Sequence, residues 1–85
     1  MTRVLVVGDV AMARALRDAG AEVVFVDGAA DHLAAMAVQE DVDAIALPRA
    51  RHDAVAAALA AADATEIVLA VLGETTAEEL VQHVR

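Results

Sequence analysis

Val4-Leu5-Val6-Val7-Gly8-Asp9-Val10-Ala11-Met12-Ala13-Arg14-Ala15-Leu16-Arg17-Asp18-Ala19-Gly20 holds the plan of the whole chain. Four consecutive apolar residues form a strand with both faces covered, because a half-exposed strand would alternate apolar and polar positions. Gly8-Asp9 breaks the run. The alanine-rich stretch that follows turns Leu16 and Met12 to one side and Arg14, Arg17 and Asp18 to the other, the spacing of an amphipathic helix. Gly20 stands where a helix ends in the left-handed conformation. The same grammar recurs at Val23-Val24-Phe25-Val26, Ala44-Ile45-Ala46-Leu47 and Ile67-Val68-Leu69-Ala70-Val71-Leu72, each run followed by a helical stretch.

Four strands are predicted over residues 3–7, 22–26, 43–47 and 66–72, with helices over 10–19, 30–40, 53–62 and from the fourth turn signal onward. Asp27-Gly28 stops the second strand, and Pro48 closes the third because it cannot donate to a ladder. Leu33, Met36 and Ala37 make an apolar stripe on the second helix. Asp53 is the expected cap of the third helix. Thr76-Ala77-Glu78-Glu79 has the form of a capping box ahead of Leu80, Val81 and Val84. Right-handed crossovers between such units give an open, doubly wound, flavodoxin-like parallel sheet in order 2-1-3-4, with helices on both faces. The 85 residues form a single domain.

Composition narrows the function classes. A net charge of −8, with 14 acidic and 6 basic residues, disfavours nucleic acid and anionic membranes as partners. Phe25 is the only aromatic residue, so stacking platforms for bases or flat cofactors are nearly absent. Cysteine and serine do not occur, which removes disulfides, thiolate metal sites and the ordinary nucleophile triads. His32, His52 and His83 lie on separate predicted elements with no second ligand at helical spacing. No metal site and no catalytic residue is expected. The first apolar run is too short for a signal peptide and no stretch is long enough to span a membrane, so the expected location is cytoplasmic.

In an open sheet of this order a ligand crevice lies beyond the carboxyl ends of strands one and three. The candidate ligand-binding residues there are Gly8, Asp9, Arg49, Arg51, His52, Gly73 and Thr75. Arg49-Ala50-Arg51-His52, at a helix N-terminus, could hold a phosphate or carboxylate. Against this stands a plainer reading, in which both arginines pair with neighbouring acids. Asp27 occupies the position of the ribose-binding acid in dinucleotide folds, yet Gly8 is followed by Asp9-Val10-Ala11-Met12-Ala13 and the later glycines of that Rossmann fingerprint are missing. A receiver-type phospho-acceptor fails as well: Pro48 sits after strand three and the chain has no lysine.

Ala13-Arg14-Ala15-Leu16-Arg17-Asp18-Ala19-Gly20-Ala21-Glu22-Val23-Val24 and Ala37-Val38-Gln39-Glu40-Asp41-Val42-Asp43-Ala44-Ile45 resemble the cobalamin-binding domain of methylmalonyl-CoA mutase and its relatives. The resemblance spans most of the chain in order and implies the same fold. That family carries Asp-x-His-x-x-Gly in the loop after strand one, Ser-x-Leu after strand three and Gly-Gly after strand four. Here strand one passes through Gly8-Asp9 straight into the helix with no histidine, Pro48-Arg49-Ala50 replaces the second motif and Leu72-Gly73 the third. The family's fifth strand and helix are absent.

The resulting expectation is a non-catalytic, minimal relative acting as an interaction or regulatory module. No cofactor is expected, with cobalamin the one the resemblance would imply. The alternatives are a binder of a small ligand, either an anion or cobalamin without histidine ligation, and an accessory subunit of a cobalamin-dependent acyl-CoA mutase. Ile67, Val68, Leu69, Ala70, Val71 and Leu72 would lie at an uncovered sheet edge. They are the candidate interface for a homodimer, or for a larger protein partner.

Overall fold

The computed structural model describes residues 1–84 and contains β1 (Arg3–Val7), α1 (Val10–Asp18), β2 (Glu22–Val26), α2 (Ala30–Gln39), β3 (Ala44–Leu47), α3 (Arg49–Ala61), β4 (Val68–Val71) and α4 (Ala77–His83). All strand pairings are parallel and the order is β2-β1-β3-β4. Val4, Leu5 and Val6 align with Ala44, Ile45 and Ala46, which in turn align with Val68, Leu69 and Ala70.

Strand alternation sorts these residues into two cores. Leu5, Val7, Ile45 and Leu47 face α2 and α3, where they meet Leu33, Ala37, Val55 and Leu59. Val4, Val6, Ala44, Ala46 and Ala70 face α1 and α4, where they meet Leu16, Leu80 and Val81. The second core is built from smaller strand residues. The last helix crosses to the face of α1 because no fifth strand follows that would hold it on the other side. Each face of the sheet thus carries two helices, and α4 stands in for the shield that a missing fifth unit would provide.

Three helices end in the same way. The C-caps Ala19, Glu40 and Ala62 are each followed by a residue of positive φ: Gly20 at 93°, Asp41 at 53° and Asp63 at 57°. The Gly20 N–H donates to Arg17 O and that of Ala21 to Leu16 O, at 3.0 and 2.9 Å. Asp41 and Val42 repeat this to Val38 O and Ala37 O at 3.2 and 3.1 Å, and Asp63 and Ala64 to Ala60 O and Leu59 O at 3.1 and 2.9 Å. Each is a Schellman motif with a buried contact between the second residue after the cap and the last turn.

Two boundaries differ from expectation. The third helix begins at Arg49, a full turn before residue 53, and Pro48 rather than Asp53 is its N-cap. Proline at φ −62° already has the helical φ, its carbonyl accepts from the Arg51 N–H at 3.0 Å, and arginine and alanine then propagate the helix readily. The fourth strand is shorter than residues 66–72. Ile67 belongs to the turn after α3, donating its N–H to Ala64 O, and its side chain is buried in the core. The capping box of α4 is present in both directions, Glu79 N–H to Thr76 Oγ1 at 3.1 Å and Thr76 N–H to Glu79 Oε1 at 3.0 Å.

Candidate functional site

Gly8 carries the chain from β1 into the mouth with φ 71°, and its N–H donates to Val26 O at 2.9 Å. A side chain there would start 3.5 Å from Asp27 Oδ2, so the two loops lie against one another. Asp9 is the N-cap of α1: its carboxylate accepts the Met12 N–H at 2.9 Å. A ligand would have to compete with that bond.

The early start of α3 places Arg49, Arg51 and His52 in its first turn instead of in a loop. Helical spacing then sends the two guanidiniums to opposite sides of the mouth. Arg51 reaches Asp27, 3.2 Å from Oδ1, and donates to the Gly28 carbonyl. Arg49 reaches Glu74, with Nε 2.7 Å from Oε2. This hydrogen bond, with the carboxylate's charge, pushes the Arg49 guanidinium pKa up. The loop after β3 is thereby tied to the loop after β2 on one side and to that after β4 on the other. His52 points elsewhere, its Nδ1 3.0 Å from Asp53 Oδ1.

Gly73 turns the chain out of β4 at φ 86°. Thr75 donates its N–H to Val71 O at 3.3 Å and lines a different surface, a groove of about 370 Å³ along the open side of β4. The structure therefore divides the seven candidate residues. Gly8 and Arg51 meet at Asp27, Arg49 and Gly73 lie toward Glu74, Asp9 is a helix cap, and His52 and Thr75 face away.

The two arginines cancel the two carboxylates, so the mouth has no net charge. Arg49 and Glu74 are 69% and 51% exposed, and exposed pairs of this kind contribute about 0–1 kcal/mol each. They are bridges that an arriving anion could open.

A cleft of about 360 Å³ lies at the opposite end, where the strands begin. Asp41, Asp43, Asp63 and Glu66 line it beside Val42 and Ile67. The sequence reading passed over these acids. They occupy equivalent places in successive βα units, at or just after the helix-ending turn, and that periodicity was the available signal. Among the described residues no three His, Asp or Glu side chains form a group able to hold a metal ion, and no helix is long and apolar enough to cross a membrane.

The fold and the mouth together define an open, doubly wound α/β domain whose crevice is laced by its own ion pairs. Comparison with family models, curated proteins and solved structures finds no match to this chain.

Proposed function

We propose that this chain is a non-catalytic interaction module built on the scaffold of the cobalamin-binding domain. One observation carries the reading: the arginines that would greet a ligand at the crevice are engaged by Asp27, the Gly28 carbonyl and Glu74. The mouth is used to lock three loops together. The groove along β4 and the free edge beside it remain the surface offered to a partner. The helix-capping role of Asp9 fits the same view, since the loop that would carry a cobalt-ligating histidine is here reduced to a turn and a cap.

Incubation with hydroxocobalamin followed by desalting tests it. The protein is expected to emerge colourless, and to give no turnover with adenosylcobalamin and an acyl-CoA. Comigrating red colour or reproducible turnover would instead favour cobalamin binding or an accessory role in a mutase.

A second reading, anion binding at the same mouth, is favoured by a separate observation. Pro48 offers no side-chain cap to the first turn of α3, so N–H groups remain beside two guanidiniums held only by weak, exposed pairs.

A further inference from the structure

We infer that the open edge of β4 pairs antiparallel with β4 of a second copy of this chain, joining the two four-stranded sheets into one across a two-fold axis at Ala70. The inference rests on the interaction-module reading and names its partner.

The ladder fixes which groups are free. Val68 donates to Asp43 O and Leu72 to Leu47 O, so the even-numbered amides of β4 face β3. Those of Leu69 and Val71 face outward by alternation. An antiparallel pair must bond outward-facing residues to each other. Centring on Ala70 does this: Leu69 lies opposite Val71 of the second copy, Val71 opposite its Leu69, and the two Ala70 residues meet as the closely spaced, non-bonded pair. Alanine suits that place. Leu69 and Val71 are only partly buried in one copy, and pairing covers them against one another.

The helices above the edge are self-complementary in the same sense of pairing. Glu79 and His83, one turn apart on α4, both line the groove beside β4. Under a two-fold axis perpendicular to the sheet, α4 lies antiparallel to its copy on the same face. Glu79 of each then stands opposite His83 of the other, the reciprocal arrangement of an isologous interface. A parallel arrangement would set like beside like. Antiparallel pairing also carries the acidic lower ends, with Asp41, Asp43, Asp63 and Glu66, to opposite ends of the joined sheet. The other open edge, β2, lacks this complementarity: its flanking acids Glu22 and Asp27 are bound to Arg3 and Arg51 of their own chain.

Sedimentation equilibrium on the intact chain is expected to give about twice the 8.7 kDa chain mass at micromolar concentration. Val71→Pro removes an amide that only the second copy uses, so it should raise the dissociation constant at least tenfold. Should that variant fold poorly, His83→Glu sets two carboxylates opposite each other on an exposed surface and should weaken the dimer at least tenfold, while His83→Lys retains it. A monomeric wild type would overturn the inference. So would a dimer unmoved by Val71→Pro and His83→Glu but dissociated by Phe25→Lys on β2. Neither result bears on hydroxocobalamin retention, which judges the underlying reading separately.

Discussion

The guanidinium of Arg3 donates to the main-chain carbonyl of Glu40 at 2.6 Å, so the first residue of β1 finishes the C-terminus of α2. The same side chain bonds Glu22 on β2, with Nε at 3.0 Å, and its backbone N–H bonds Asp43 Oδ2 at 2.9 Å ahead of β3. One arginine therefore registers three strands and a helix end. Replacing it with alanine should lower stability by about 1–2 kcal/mol, since donors with charge make the stronger hydrogen bonds. Lysine should recover less than half of this, because it cannot fork to a carbonyl and a carboxylate together. Urea unfolding of the three proteins measures both effects.

The repeated helix ending gives a paired expectation of opposite sign. Asp41→Gly and Asp63→Gly relieve a left-handed backbone that side chains resist, and each should stabilise the fold by about 1 kcal/mol. Gly20→Ala should cost about as much. No atom lies within 4 Å of where its Cβ would sit, so the loss would be purely conformational. Melting curves would reveal the pattern, and equal behaviour at the three sites would contradict it.

Thr76 and Glu79 link α4 to pH. The Thr76 N–H holds the Glu79 carboxyl below its ordinary value, followed by the hydroxyl contact. A carboxylate so depressed contributes its full share above the unfolded pKa of about 4.3, and loses it as pH falls through the folded value. Thr76→Ala should destabilise by about 1 kcal/mol near neutrality. Stability measured from pH 6 downward should show that penalty shrinking as Glu79 protonates. A penalty independent of pH would refute the coupling.

At the mouth, phosphate should raise the melting temperature if an anion can displace Asp27 and Glu74 from the arginines, with the dose dependence of simple mass action. Arg49→Ala with Arg51→Ala should erase the gain. Equal shifts in both proteins would reduce the effect to general salt stabilisation.

The βα repeat was readable because runs such as Val4–Val7 and Ala44–Leu47 can be nothing but doubly covered strands, and short crossovers leave few ways to order them. The start of α3 was not readable from Asp53, since a good capping residue inside a helix looks the same on paper as one at its beginning. Pro48, taken as a strand breaker, also initiates the helix. That turn decided the site: it swung Arg49 and Arg51 apart and brought each to a different acid. Asp9 carried the signature of an N-cap, a carboxylate just ahead of an apolar-periodic stretch, though it was read as a ligand residue. The positive φ of Asp41 and Asp63 was also within reach, because aspartate tolerates that conformation better than most residues.

The three repeated turns gather carboxylates at the end of the sheet where the strands begin, while at the other end the charges cancel in pairs. A single copy is therefore electrically lopsided. On a positively charged support it should settle with that end down and leave the mouth facing solution, so the chain's own charge arrangement would choose which surface a tethered molecule displays.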